Sequence, residues 1–513
     1  MPLLSQAYAF NGVNRDLPGQ VLQGQWSEVQ NMQFRRGFGT RVKGDEAVFS
    51  TTEGTLNGPD YVVNVFDGTN NFWLYGATDG VGVTDGATHK VITPTVFSAP
   101  ADSDHWTGGV LNGVPFLNYQ QDIGAWWGQD FATPTVMAPL TDGVRCKALR
   151  PYRFGLVAMD TSEDSAHATV SQTAVTVAWS AFADPGAIPT SWTPSASNNA
   201  GFIELASDGG ACVDGGQFRN SFLIGKSNGF WVMDFVGGQD IMSFRQLFST
   251  GGLLSRNCMA EVDGSMFALT DSDFIVTDGN SVRSVIDNVN RKHLFSQLGD
   301  NFQQSFIVYN EPAREIWVCT PVGSDALALK AHILDVDTLA FGERDFVTPG
   351  IAHAAMGLND VSTAGAWNTI TGTWATIDRI WNQGAAQTAS DVLIWADGVS
   401  GGQLYQADGE TDTLTGRLER YTLDFGAPGQ SKTLLRVWPR IEAEAAISVS
   451  LSVGTQDSPD EAITWGAFRT MTTASQNKID YLASARYLSF RFTSSQEYAL
   501  TGFDAEYRVA GRF

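Results

Sequence analysis

The feature that most restricts the fold of this chain is a recurring short unit: an apolar run, a tight turn, then a second run closing on apolar-x-Val-x-Asp. It appears as FWLYGATDGVGVTDG (72–86), FLIGKSNGFWVMDF (222–235) and MFALTDSDFIVTDG (266–279). The closing pairs are Val83/Asp85, Val232/Asp234 and Val276/Asp278. The turns are read at Asp79-Gly80, Asn228-Gly229 and Ser272-Asp273. The first two dipeptides suit type I′ hairpins, whose central residues both take positive φ. Asp234 and Asp278 lie 44 residues apart, about the length of one propeller blade. Asp85 and Asp234 lie 149 apart, which leaves room for three such units. Further hairpins follow at 305–321, 332–346 and 392–408. An isolated hairpin is marginal in water, so these must stack. A ring of blades stacks them and leaves only short edges. A pair of β-sandwiches could use the same hairpins.

The last hundred residues read differently. Seven or so alternating strands run from about 411 to 513, with Ile447, Val449, Leu451 and Val453 on one side. They predict a β-sandwich. The fold expected is therefore all-β: a β-propeller-like ring of hairpin blades with an additional C-terminal β-sandwich. The chain divides into a basic docking segment at 1–50, a propeller with irregular insertions at 51–410, and the sandwich at 411–513. Helix signals are confined to Ser27–Gln33 and Asp287–Leu298.

Charge is uneven. The net charge is −23, and residues 44–144 hold twelve acids against one base, Lys90. Residues 154–218 hold seven acids and no Lys or Arg. Tight DNA binding over these stretches is not expected, because neutralising phosphates takes Lys and Arg. Against this background Arg35, Arg36, Arg41 and Lys43 form a basic, Gly-broken segment near the start.

Catalytic patterns are not found. Cys146, Cys212, Cys258 and Cys319 are too far apart for a local metal or redox motif. They read as buried thiols in a reducing compartment. The six histidines include no pair at i, i+3 or i, i+4. No Walker loop, nucleophile elbow or dinucleotide fingerprint occurs. No cofactor or metal site is expected. Two carboxylates facing across a cleft could still come from different blades. Trp126-Trp127 and Phe230-Trp231 read as wedge packing between blades, with sugar platforms as the alternative. The start of the chain lacks a signal-peptide pattern, and no run of 18 apolar residues is present, so synthesis in a cytoplasm without a membrane span is expected.

Three stretches together carry a family resemblance. They are Gly24, Trp26, Ser27, Val29 and Asn31 followed by Phe34-Arg35-Arg36-Gly37, Arg41, Val42 and Gly44; then Trp179-Ser180, Asp184-Pro185 and Trp192; then Trp438-Pro439-Arg440. This set resembles the tail nozzle proteins of short-tailed phages (podoviruses), the tail tubular protein B and packaged-DNA stabilisation groups. The resemblance implies a virion structural protein of the tail, made in the bacterial host cytoplasm, and not an enzyme. It implies a homohexamer below the portal and adaptor, or head-to-tail connector, that extends the DNA channel. Such a ring retains the genome and then conducts double-stranded DNA during ejection without binding it specifically. A tail fibre or distal tip protein would be its other partner. In that setting Arg35, Arg36, Arg41 and Lys43 would contact the adaptor or a neighbouring subunit, or else form a solvated turn. The rival reading is a propeller tail protein that binds or hydrolyses glycans on the host surface. A trimeric receptor-binding protein is a third.

Overall fold

The computed structural model of the chain describes residues 4–49, 56–67, 70–99, 105–120, 122–164, 170–238, 240–249, 251–346, 350–360, 389–399, 402–409, 414–443, 445–473 and 475–512. Among them the strand–turn units build seven four-stranded antiparallel units. Blade 1 runs Pro59–Phe66, Asn71–Ala77, Gly80–Thr84 and His89–Val91. The first strands of blades 2 to 7 are Thr107–Leu111, Ala148–Tyr152, Cys212–Phe218, Met259–Val262, Phe306–Asn310 and His353–Asp360. Each first strand lies against the next, and His353–Asp360 returns to Pro59–Phe66. The ring is closed, and the propeller has seven blades. Asp85 in blade 1 and Asp234 in blade 4 are three blades apart, as their spacing predicted.

The wedges between blades form the core. Tyr61, Leu74, Leu117 and Trp127 fill the gap between blades 1 and 2. Leu111, Phe116, Leu156 and Trp192 fill the next. Trp127 and Phe230 are fully buried, as expected of packing residues, and they exclude water from faces that no single sheet could cover. The repeated Asp caps the turn into the fourth strand of blades 1 and 5. Asp85 accepts from the backbone N–H of Ala87 and Thr88, and Asp278 accepts from Asn280 and Ser281, at 2.7–2.9 Å. Such Asx turns explain why Thr-Asp-Gly recurs there.

Two local expectations are corrected. The hairpins at 72–86 and 222–235 turn at Thr78-Asp79 and Ser227-Asn228, because Ala77 pairs with Gly80 and Lys226 with Gly229. Gly80 and Gly229 therefore open the next strand. They are glycine for space: a Cβ on Gly229 would lie 2.5 Å from the Phe248 carbonyl oxygen, and one on Gly80 would lie 2.3 Å from the Thr93 hydroxyl. Positive φ falls instead on Asn112-Gly113 and Asp263-Gly264, which join first to second strands. The expected helix at Ser27–Gln33 is two strands, Glu28–Gln30 and Met32–Arg35, broken by Asn31 at φ 52°. Of 287–298, only Arg291–Gln297 is helical.

The sandwich begins near 416 but is not built from the C-terminal residues alone. One sheet holds Gly416–Leu423, Tyr487–Ser494 and Ser448–Gln456, with Glu28–Gln30 added at its edge. The other holds Gln430–Glu442, Ile479–Ala485 and Ala499–Arg512, and Leu4–Ala9 pairs along Ala499–Arg512. The hairpin Met32–Arg35/Phe38–Arg41 pairs with this second sheet on one side and with Phe341–Asp345 of blade 6 on the other. A ten-stranded sheet thus runs from blade 6 into the sandwich. Glu46–Val48 then pairs with Leu404–Gln406 as the fourth strand of blade 7. The expected separate segment at 1–50 is corrected: its strands complete both other parts, because their open edges need partners.

Trp26 marks this junction. It is fully buried, its ring centroid lies 4.5 Å from that of Phe10 and 6.2 Å from that of Phe492, and it shares a core with Phe34, Leu418 and Phe503. Trp26→Ala is expected to lower the free energy of unfolding by about 3–5 kcal/mol in urea titration. A loss under about 1 kcal/mol would mean that the segment is not part of the core.

Candidate functional sites: the basic hairpin and the propeller axis

Three of the four basic residues of the N-terminal segment lie on one hairpin and Lys43 just follows it, and they do not share one environment. Arg36 and Gly37 form its two-residue turn, with φ of 51° and 83°. Arg36 is exposed at the tip and Lys43 is half-buried. Arg35 donates through Nε to Glu315 Oε1 at 2.9 Å. Arg41 is only 9% exposed and donates to the carbonyls of Val42 and Leu414 at 3.1 and 3.3 Å. The four residues expected to contact an adaptor or neighbour, or to form a solvated turn, are thus not equally exposed. Arg41 is spent inside the chain, where a buried guanidinium must find partners, and the half-buried Arg35 is held by Glu315.

Glu315 is fully buried in blade 6, and burial pushes its carboxyl up to about 7 although Arg35 opposes the shift. In the folded protein this acid stays protonated through a range where the unfolded chain ionises, so its contribution to stability falls as pH rises from about 4.5 to about 7.

The second site is the propeller axis, where a cavity of about 340 Å³ is bordered by residues from every blade. Arg150 of blade 3 closes on Asp214 of blade 4 through Nε at 2.8 Å and Nη2 at 2.6 Å. Nη2 also donates to Asn257 Oδ1 at 2.6 Å, and Nη1 donates to Tyr61 Oη at 3.4 Å and to Gly108 O at 3.3 Å. Asp214 accepts two backbone N–H groups besides, from Gly215 and Asn257, both at 2.8 Å. The His353 ring of blade 7 lies 4.1 Å from that of Tyr61. Burial, with Arg150 nearby, holds its imidazole down to about 3 and hence neutral. Every hydrogen-bonding nitrogen of Arg150 is engaged within the chain, so this cluster locks the first strands together and presents no free cation. Sequence reading missed it, because its members come from six parts of the chain.

A third cluster ties the N-terminal segment to blade 6. Arg15 bridges Glu28 and Glu343, and its Nη1 lies 3.3 Å from His293 Nε2. His293 and His332, unrelated by spacing, meet with ring centroids 6.1 Å apart. Burial lowers both to about 4, while Arg15 and Lys330 help hold Glu343 down to about 2. Among the described residues no group of three or more His, Cys, Asp or Glu is arranged to hold a metal. The four cysteines are buried and unpaired with each other, and burial pushes each thiol up.

The acidic stretches are partly internal too. Asp160, Asp164 and Asp214 are buried, Lys147 reaches Asp160 at 3.1 Å, and Asp208 pairs with the buried Lys226. Glu46, Asp67, Asp79, Asp85, Asp130 and Asp142 remain exposed. Five of these lie on or beside blades 1 and 2, and blade 5 carries exposed acids as well, at Glu261, Asp263, Asp271 and Asp278.

No family model matches the chain, and no curated protein matches it. The class defined by the strand pairing is a β-propeller carrying a β-sandwich, and solved propellers are similar to it only distantly. Saccharomyces cerevisiae Sqt1 is 10% identical with a TM-score of 0.38, over 71% of this chain and 99% of that one. The Neurospora crassa Pan2 WD40 domain is 10% identical with a TM-score of 0.37, over 69% and 90%. YCF48 bound to D1 peptide is 10% identical with a TM-score of 0.35, over 74% and 99%. Likeness at this level carries no function across.

Four substitutions check these sites. Arg150→Met leaves Asp214 buried without its counter-charge and is expected to cost about 3–5 kcal/mol of stability by chemical denaturation. Arg41→Ser is expected to cost about 1–3 kcal/mol, and Arg36→Ser under about 0.5 kcal/mol. Relative to wild type, Glu315→Gln is expected to gain stability as pH rises from about 4.5 to about 7, read from unfolding curves across that range. A difference that is flat with pH would contradict the raised carboxyl.

Proposed function

We propose that this chain is a structural subunit of a short-tailed phage tail, a nozzle protein that forms an axial homohexamer below the adaptor. It would extend the DNA channel, help retain the genome and conduct it during ejection, and it would carry no catalytic site. The observation that carries this reading is where the resembling residues sit. Trp26, Phe34 and Arg41 build the junction between propeller and sandwich, and Trp179 and Trp192 pack the blade wedges. The shared pattern is thus architectural, as suits a part that must bear load and not turn over a substrate. The exposed acids of blades 1 and 2 fit a wall that repels phosphates. Arg150 and Asp214 occupy the propeller axis, so in this reading DNA runs between subunits and not through a blade ring. Arg36, exposed at its hairpin tip, is left as the basic contact toward adaptor or neighbour.

Immunogold electron microscopy of particles of the encoding phage, with antibody to this chain, tests the proposal. Axial label at the lower tail is expected. Label on peripheral fibres, or protein absent from disrupted particles, would overturn it. Charge reversal of Asp67, Asp85 and Asp130 is expected to slow DNA ejection, and ejection at the wild-type rate would remove the acidic-wall argument.

A further inference from the structure

One surface of blades 3 and 4 breaks with the acidic character of the chain. The turn joining Ala148–Tyr152 to Gly155–Met159 is Arg153-Phe154, with Arg153 at φ 53°. The matching turn of blade 4, between Cys212–Phe218 and Ser221–Lys226, is Arg219-Asn220, with Arg219 at φ 54°. The two tips touch: Tyr152 Oη donates to Asn220 O at 2.8 Å and Arg153 Nη2 donates to the same oxygen at 3.3 Å. They border a depression of about 230 Å³ lined by Tyr152, Arg153, Phe154, Gln217, Arg219 and Asn220.

Apolar surface continues from this depression. Phe154 is 52% exposed, at a hairpin tip that needs no apolar side chain. Its ring lies 6.4 Å from that of Phe182, which lies 5.4 Å from that of Phe235. The Arg153 guanidinium sits 4.9 Å over the Phe235 ring, and the next residue, Val236, is 56% exposed. An exposed Phe154 backed by the half-buried Phe182 and Phe235, beside arginine, is what the cores of protein interfaces are made of.

The charge pattern says what kind of partner fits. Arg150, Arg314 and Arg344 each pair with a carboxylate. Arg153 and Arg219 form no ion pair with any described carboxylate. Arg153 donates to Tyr152 Oη and Asn220 O, and Arg219 Nε donates to Gly264 O at 2.7 Å. Glu261 is close to Arg219 but accepts its backbone N–H, at 3.0 Å. On a chain of 55 acids and 32 bases, two neighbouring guanidinium groups thus keep donors directed outward without an acid of their own.

We infer that this surface binds an acidic protein segment, with an apolar side chain seated against Phe154 and Phe235 and flanking carboxylates on Arg153 and Arg219. Arginine suits the task, because its planar fork meets a carboxylate with two parallel hydrogen bonds. The inference holds whether or not the tail reading stands.

The test is fluorescence anisotropy with a labelled peptide carrying a central Phe-Leu pair flanked by aspartates, against the same peptide flanked by lysines. Saturable binding of the acidic probe alone is expected. The Arg153→Glu/Arg219→Glu variant, and separately Phe154→Ser, are each expected to weaken it at least about tenfold. Melting temperatures should change little, because the bonds these arginines lose are to exposed carbonyl oxygens. Arg153→Lys/Arg219→Lys is expected to retain part of the affinity. Sedimentation velocity adds one further supporting outcome: self-association of the wild type that the double Glu variant loses makes a second copy the occupant. Absence of saturable binding, equal binding of the lysine probe, unaltered binding by the variants, or displacement of the acidic probe by duplex DNA would each overturn the inference.

Discussion

A ring of sheets has to close, and this one closes on strands drawn from the other end of the chain. Blade 7 takes its fourth strand from Glu46–Val48, and the sandwich takes Leu4–Ala9, Glu28–Gln30 and the Met32–Arg41 hairpin. The physical demand is plain: an open strand edge leaves backbone N–H and C=O groups without partners, and pairing is the cheapest way to satisfy them. Because one continuous segment serves both bodies, propeller and sandwich are stitched together at the edge of blade 6.

Buried charge marks the same seams. Arg344 is fully buried against Asp45 and Asp408 and lies 4.9 Å over the Trp317 ring, where the closing strand enters. Arg15 reaches Glu28 and Glu343 where the segment crosses blade 6. Arg420 is buried in the sandwich and forms no ion pair with a described carboxylate; it donates to the carbonyls of Gly19, Leu22 and Tyr421 at 2.6–2.8 Å, and burial lowers it to about 10 although Asp424 opposes the shift. A buried ion pair is weak evidence for net stability. Its directional demands fix which strand edge the segment takes, and that specificity is what a closure needs.

The blades were legible in the sequence because their signals are local. Thr-Asp-Gly turns recur where Asp85 and Asp278 cap the backbone, and alternation at Ile447–Val453 marks a buried sandwich face. The turn registers at Gly80 and Gly229 were misread, since glycine there answers to a neighbour's bulk and not to its own φ. The basic hairpin was legible as unusual but not as internal. Arg35 finds Glu315 across 280 residues, and Arg41 finds the Leu414 carbonyl across 373. No spacing rule reaches that far. The axis cluster of Arg150, Asp214, Tyr61 and His353 was invisible for the same reason: closure of the ring, and nothing in the local chain, brings its members together.

Residues 4–49 are folded architecture shared by both bodies. Amide hydrogen exchange followed by mass spectrometry measures this directly. Peptides covering 28–35 and 38–41 are predicted to exchange as slowly as those of Tyr487–Ser494 and Phe341–Asp345, and to open together with them as denaturant is added. Exchange of 28–41 within seconds, while those strands stay protected, would contradict the account and return the segment to the role of a free arm.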